Sequence, residues 1–144
     1  MGFGPKQSTD ATAIAHPRVL LVDDQHDSTR TLSLLLSASG YQVRTAATVA
    51  SALKLAAAES FDIVVSDIGL PDATGYELMQ QIRALYGIKG IALTGHGMDD
   101  DLRRSRQAGF AAHVVKPVNV DELENIMARL LAEPDSANSG SASQ

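Results

Sequence analysis

The sequence predicts an α/β protein with a doubly wound, five-stranded parallel sheet, and three observations support this class. Short apolar runs alternate five times with segments whose apolar residues recur at helical spacing. Strands that are separated by single helices lie parallel and are joined by right-handed crossovers. The third run, residues 61–66, is nearly all apolar, as expected of a strand that helices cover on both faces. Five such units predict three layers, with the sheet between two sets of helices.

The five predicted strands are short apolar runs. They lie at Arg18–Val22, Tyr41–Thr45, Phe61–Ser66, Ile88–Leu93 and Ala111–Val115.

Capping residues mark several ends of the predicted helices. Gly40 follows the first helix and Gly109 the fourth, and glycine is a common residue after a helix. Thr48 precedes the second helix and can accept a hydrogen bond from its first turn. The helices are predicted at Ser28–Ser39, from Thr48 through Ala58, from Thr74 or Gly75 after the Leu70–Asp72 turn, at Asp99–Ala108 and at Asp121–Leu131.

Helical spacing also predicts which side chains face the core. The inward residues are expected to be Leu32, Leu35 and Leu36, then Val49, Leu53 and Ala56, then Leu78, Ile82 and Leu85, and finally Leu123, Met127 and Leu130.

The two ends of the chain differ in composition from the middle. Residues 1–17 are rich in Gly, Ser, Thr and Ala without apolar periodicity, and residues 133–144 form a polar stretch of low complexity. Such segments bury too little apolar surface to order themselves. The expected organisation is a flexible segment at 1–17, one folded domain at 18–132 and a disordered tail at 133–144.

Composition narrows the class of function. The chain has 144 residues, enough for one domain with a full core, and its formal net charge is −5. An acidic balance argues against direct nucleic acid binding, which requires a basic surface. The chain has no cysteine, which excludes disulfides and thiolate metal sites and fits the expected cytoplasmic location. No apolar run approaches the roughly 18–20 residues of a membrane span.

Polar residues stand at the ends of four predicted strands. Asp23 and Asp24 follow the first strand, and Asp67 follows the third. Thr94 follows the fourth strand and Lys116 the fifth. The carboxyl ends of parallel strands lie on one edge of the sheet, where doubly wound folds bind their ligands. Three carboxylates held close together repel one another, so this cluster indicates a bound cation, and oxygen ligands favour Mg²⁺ or another hard ion.

These five positions, in this order and at these strand ends, resemble the receiver domain of two-component response regulators. The resemblance covers residues 18–131, and the stretches at 67–75 and 91–117 are also typical of the family. It implies a flavodoxin-like receiver fold and a cis peptide bond between Lys116 and Pro117.

The resemblance implies that Asp67 is the phosphoacceptor. It would receive a phosphoryl group from the phosphohistidine of a histidine kinase or a histidine phosphotransfer protein. Lys116 would pair with one phosphoryl oxygen, and the Thr94 hydroxyl would donate to another. Such a domain dephosphorylates itself slowly and is not an enzyme in the usual sense.

The resemblance also implies a Mg²⁺ site. Asp24 would bind the ion directly and Asp23 largely through water, and Asp67 and the backbone carbonyl of Gly69 would complete the protein ligands.

A switch pair is implied as well. Thr94 would move toward the phosphoryl group, and His113 stands where many receivers carry the aromatic residue that responds to this movement. His96 stands where family members tune the access of water to the phosphoryl group.

Each residue also has a plainer interpretation. Asp23 and Asp24 can cap the helix that follows them, and Asp67 can cap the turn at Pro71. His113 can be a static, half-buried strand residue. The joint occurrence of the site residues in register with five βα units favours the receiver interpretation.

Two other functions fit the same architecture. A flavin- or nucleotide-binding module would need a loop that cradles phosphate after the first strand, and residues 23–27, with three aspartates, would repel it. An aspartyl-phosphate hydrolase would carry a capping insertion, for which no loop is long enough. Within the family, residues 91–117 most resemble the receiver of a hybrid sensor histidine kinase, and a single-domain regulator is the alternative.

Overall fold

The computed structural model describes residues 16–95 and 99–133 and confirms the predicted fold class. Five parallel strands form one sheet in the order β2-β1-β3-β4-β5, and a helix follows each strand along the chain. The strands are β1 (Arg18–Val22), β2 (Gln42–Ala46), β3 (Ile63–Asp67), β4 (Lys89–Thr94) and β5 (Ala112–Val115). The helices are α1 (His26–Ala38), α2 (Val49–Ala58), α3 (Gly75–Tyr86), α4 (Asp99–Ala108) and α5 (Val120–Ala132).

Two apolar clusters lie on opposite faces of the sheet. One contains buried residues of α2, α3 and α4, such as Ala52, Leu78 and Ala108. The other contains buried residues of α1 and α5, such as Leu36 and Met127. Successive residues of β1 alternate between the two clusters, because neighbouring side chains of a strand point to opposite faces. The central strands are therefore covered on both sides, as their composition predicts.

The strand register brings the carboxyl ends of β1, β3, β4 and β5 to a common level. Val22 pairs with Ser66, Asp67 pairs with Leu93, and Thr94 pairs with Val115. Side chains at or just after these positions therefore meet at one edge of the sheet. The Lys116–Pro117 peptide bond is cis, as expected.

The helix boundaries agree closely with the sequence, with differences at two helix starts. α1 begins at His26 rather than Ser28, and the preceding Gln25 N–H donates to Oδ1 of Asp23 at 3.0 Å, which holds the chain in the orientation that starts the helix. α5 begins at Val120 because Asn119 caps it. None of the helices in the described ranges is long and apolar enough to cross a membrane.

The prediction that Leu35 and Leu85 face the core is wrong. Leu35 is 45% exposed and Leu85 is 64% exposed. Leu35 lies at the margin of the apolar face of α1, on which Leu32 and Leu36 are buried. Leu85 lies in the last turn of α3, beyond the part of the helix that packs on the sheet. Helical spacing gives a direction for each side chain but not the length of helix that the sheet covers.

Gly75 sets the distance between α3 and the end of β3. A Cβ atom at this position would lie 2.3 Å from the carbonyl oxygen of Asp67 and 3.0 Å from the Cα atom of Ile68. The Gly75 N–H donates to the carbonyl oxygen of Ile68 at 2.7 Å. The helix can approach Asp67 this closely because glycine has no side chain.

We expect Gly75→Ala to lower the free energy of unfolding by about 1–3 kcal/mol, because the backbone of Asp67 has to move to admit the methyl group. Urea denaturation in EDTA measures the change. Gly69→Ala is the matched control, since no heavy atom lies within 4 Å of a Cβ at Gly69. Equal losses in the two variants would contradict the steric argument.

Candidate functional site

Four parallel strands deliver the site residues to one edge of the sheet. Asp23 and Asp24 follow β1, Asp67 is the last residue of β3, and Thr94 is the last residue of β4. Lys116 follows β5, and its N–H donates to the carbonyl oxygen of Thr94 at 2.7 Å. The N–H of Asp23 donates to the carbonyl oxygen of Ala46 at the end of β2. These two hydrogen bonds continue the pairing of β5 with β4 and of β1 with β2 to the point where the strands end.

The three aspartates form one cluster. A carboxylate oxygen of each lies within 4.8 Å of one from each of the others. Their burial differs: Asp23 is 4% exposed, the Asp67 side chain is 15% exposed, and Asp24 is exposed. Three negative charges at this distance are favourable only with compensating positive charge.

Lys116 supplies part of that charge. Its Nζ atom lies 2.9 Å from Oδ2 of Asp67 and 3.2 Å from Oδ2 of Asp23. Partial burial by itself lowers the pKa of the ammonium, but the hydrogen bonds and charges of Asp67 and Asp23 outweigh burial and raise the pKa above its ordinary value. This contribution to folding is complete below the ordinary lysine pKa and is lost only as the pH rises through the raised value.

The Thr94 hydroxyl group is buried and can donate a hydrogen bond. Thr94 is 2% exposed, and its Oγ1 atom has no hydrogen-bond partner among the described residues. A buried hydroxyl without a partner is uncommon because it forfeits its bonds to water. Its position at the end of β4, next to β3, suits a group that arrives at Asp67.

Asp23 combines two of the roles considered from the sequence. Its Oδ1 atom accepts a hydrogen bond from the N–H of Gln25, just before α1, and its Oδ2 atom accepts one from Lys116. The N-cap residue of α1 is Gln25 itself, whose side chain makes no capping bond. Neither aspartate is therefore the N-cap residue, and Asp23 joins the helix start to the acidic cluster.

The β3–α3 loop carries Gly69, whose backbone carbonyl is the expected fourth protein ligand of a metal ion. Gly69 is exposed, and it pairs with Thr74 in an antiparallel bridge. The three carboxylates form an all-oxygen donor set, which fits a hard divalent cation such as Mg²⁺.

Asp72 lies in the same loop, and the sequence predicted only that it belongs to a turn. In the structure it also connects this loop to α2. Its two carboxylate oxygens accept hydrogen bonds from the N–H groups of Val49 and Ala50 in the first turn of α2, at 2.8 and 3.0 Å. These bonds, the one from Val49 most strongly, hold the pKa of the Asp72 carboxyl below its ordinary range. The partners lie more than 20 residues away in the sequence, so no local pattern could identify them.

The structure places His113 in β5, three residues before Lys116. His113 pairs with Ala92 in the sheet and is half-buried. It lines an open groove of about 720 Å³ together with Arg106 of α4 and Arg129 of α5. His96, at the position expected to tune water access, lies outside the described residues.

Comparison with known proteins gives the same assignment. The model of the response regulator receiver domain family matches residues 19–128. The transcriptional regulatory protein KdpE of Mycobacterium tuberculosis is 37% identical over 114 residues, which cover 79% of this chain and 49% of KdpE. The sensor histidine kinase RcsC of Salmonella typhi is 32% identical over 124 residues, which cover 84% of this chain and 13% of RcsC. The chain thus spans half or less of the length of these two relatives.

A solved structure agrees with the sequence relatives. The CheY-like response regulator receiver domain protein from Methanospirillum hungatei superposes with a TM-score of 0.74 at 36% sequence identity, covering 80% of this chain and 94% of that one. With the acidic cluster, the lysine and the threonine at the carboxyl ends of β1, β3, β4 and β5, the chain belongs to the response regulator receiver domains of two-component signal transduction.

Proposed function

We propose that this receiver domain accepts a phosphoryl group on Asp67 from the phosphohistidine of a histidine kinase or a histidine phosphotransfer protein. The observation that carries the proposal is the contact of Lys116 with Asp67 at 2.9 Å, together with a buried Thr94 hydroxyl that has no hydrogen-bond partner among the described residues. Lys116 supplies a cation beside the Asp67 carboxylate, and the Thr94 hydroxyl supplies a hydrogen-bond donor at the end of the neighbouring strand β4. They suit an incoming phosphoryl group, whose oxygens need positive charge and hydrogen-bond donors.

The chemistry is a direct transfer between two side chains. Lys116 holds Oδ2 of Asp67, and Oδ1 makes no hydrogen bond within the described residues, so one oxygen can attack phosphorus. An oxygen–phosphorus bond forms as the phosphorus–nitrogen bond of the phosphohistidine breaks. The electron pair of the broken bond stays on the ring nitrogen, and the imidazole leaves as a neutral group because its other ring nitrogen carries a proton. The product is an acyl phosphate on Asp67. Lys116 and Thr94 can then each contact a phosphoryl oxygen.

We place a Mg²⁺ ion in the acidic cluster, held by Asp23, Asp24, Asp67 and the carbonyl of Gly69. The oxygen donor set and the residual negative charge of three carboxylates beside one lysine support this assignment. When bound there, Mg²⁺ would supply positive charge that offsets the negative charge of the phosphoryl oxygens.

Thr94 and His113 are proposed as the switch. Thr94 gains a phosphoryl oxygen as acceptor, and its movement changes the space beside β5. His113 lines the groove between α4 and α5, so a change in its position alters a surface that a partner can contact. The bistable element is a pair of side chains on rigid strands.

The domain is proposed to act as a phosphoacceptor with weak self-dephosphorylation rather than as an enzyme, and to act in the cytoplasm. Its similarity to part of RcsC, a sensor histidine kinase, favours the receiver portion of a hybrid kinase as its context. A single-domain regulator is the second candidate, favoured by the receiver from Methanospirillum hungatei, 94% of which this chain covers.

We expect wild-type protein incubated with acetyl phosphate and Mg²⁺ to gain one phosphoryl group, and Asp67→Asn to gain none, because an amide is not a nucleophile of this kind. Intact-mass spectrometry gives the number of groups, and Asp62→Asn is a matched control at the other end of β3. Equal modification of wild type and Asp67→Asn would refute the assignment.

We expect Asp24→Asn to raise the free energy of unfolding in EDTA by up to about 1 kcal/mol, since it relieves repulsion within the cluster at an exposed position. Asp23→Asn should gain less, because it also weakens the contact with Lys116. Urea denaturation measures both. A lower free energy of unfolding in Asp24→Asn than in wild type would show that repulsion does not govern the cluster.

We expect beryllofluoride, a stable mimic of the phosphoryl group, to shift the NMR signals of the His113 ring as well as those of the crevice. The reason is that movement of Thr94 changes the space on the same face of β4 and β5. Thr94→Val, which removes the hydroxyl but keeps the shape, is the control and should abolish the His113 shift. A His113 ring that keeps its signals while beryllofluoride binds would leave it a static strand residue.

A further inference from the structure

The loop that carries Gly69 is attached to the molecule at three points. Its first residue, Ile68, donates from its N–H to the carbonyl oxygen of Leu93 in β4. Its ends are joined by the bridge between Gly69 and Thr74 and by the hydrogen bond from Gly75 to Ile68. Both attachments lie at the base of the loop. The third, at its tip, is the pair of hydrogen bonds that Asp72 accepts from α2.

Asp72 accepts hydrogen bonds from two backbone N–H groups at the start of α2. The first N–H groups of a helix have no partner within the helix. At the start of α2, Thr48 accepts from the N–H of Ser51, and Asp72 accepts from both Val49 and Ala50. A carboxylate that accepts two backbone hydrogen bonds at a helix start is stabilised by the positive end of the helix dipole, and the two hydrogen bonds also fix its orientation. The loop tip is therefore fixed to α2 although Asp72 itself is exposed.

The start of α2 is in turn connected to the other side of the crevice. α2 follows β2 directly, and the last residue of β2, Ala46, accepts the hydrogen bond from the N–H of Asp23. Asp72 thus completes a chain of contacts that runs from the backbone of Asp23 to the loop of Gly69. The proposed metal ligands from β1 and from the β3–α3 loop are held relative to each other through this connection.

We propose that Asp72 is a positioning residue for metal binding, which fixes the Gly69 carbonyl relative to the aspartates. This inference rests on the proposed Mg²⁺ site. A carbonyl on a loop fixed in advance loses less conformational freedom when an ion binds than one on a loop free at its tip. Groups that orient metal ligands change affinity by 10–100-fold when removed, so we expect about tenfold weaker Mg²⁺ binding in Asp72→Ala.

The experiment compares Mg²⁺ affinity in four proteins: wild type, Asp72→Ala, Asp72→Asn and Asp62→Ala. NMR titration of backbone amides with MgCl₂ gives the dissociation constants, and hydrogen exchange of the Val49 and Ala50 amides reports whether the loop anchor is broken. Asp62 is the matched control because it also accepts a hydrogen bond from a backbone N–H, that of Arg18 at 2.8 Å, at the opposite edge of the sheet.

Asparagine separates geometry from charge. Asp72→Asn removes the negative charge but keeps one acceptor oxygen, so its affinity should fall between those of wild type and Asp72→Ala. Work at about 0.15 M ionic strength, where the Debye length is about 8 Å, limits the effect of the exposed charge itself. Asp62→Ala should bind Mg²⁺ as wild type does.

The outcomes are distinct. Weaker binding in the order wild type, Asp72→Asn, Asp72→Ala, with faster exchange at Val49 and Ala50, supports the inference. Equal affinity of Asp72→Ala and wild type would overturn it and leave the metal site in place. Equal weakening in Asp72→Asn and Asp72→Ala would assign the effect to charge and would also overturn it. A wild-type protein that does not bind Mg²⁺ would overturn the proposed metal site as well.

Discussion

The contact of Lys116 with Asp67 and Asp23 is the interaction on which the site depends. Two carboxylates from different strands share one ammonium, at 2.9 and 3.2 Å, while a third carboxylate lies within 4.8 Å of both. The lysine compensates only part of the negative charge. The remaining negative charge would be balanced by a bound cation. In the proposed function, that cation and Lys116 would together offset the charge of a phosphoryl group.

The fold can hold this arrangement because the strands beneath it are rigid and buried. Residues of β1, β3 and β4 pack on both faces, and their register sets the carboxyl ends level with one another. Gly75 lets α3 approach the backbone of Asp67, and Asp72 fixes the intervening loop to α2. Charges that repel each other are thus kept close by apolar packing and backbone hydrogen bonds that lie outside the cluster.

Much of the fold was predictable from particular residues. The apolar runs of β1 and β3 marked central strands, and Thr48 predicted the start of α2, where it forms a capping box with Ser51. Leu35 and Leu85 were assigned wrongly to the core, because spacing along a helix does not reveal where the sheet beneath it ends. α1 starts earlier than predicted because the Asp23 carboxylate accepts a hydrogen bond from the backbone N–H of Gln25. Helix propensity does not describe such a contact between a side chain and the backbone.

The sequence by itself determined which residues reach the crevice, since an alternation of strands and helices obliges the polar residues after parallel strands to share one edge. Distances and partners were decided by the tertiary structure. Lys116 contacts both Asp67 and Asp23, the buried Thr94 hydroxyl has no hydrogen-bond partner within the described part of the chain, and Asp72 binds the start of α2. The physical reason is range. Periodicity and capping are properties of neighbouring residues, whereas hydrogen bonds and ion pairs between distant segments exist only after the chain has packed.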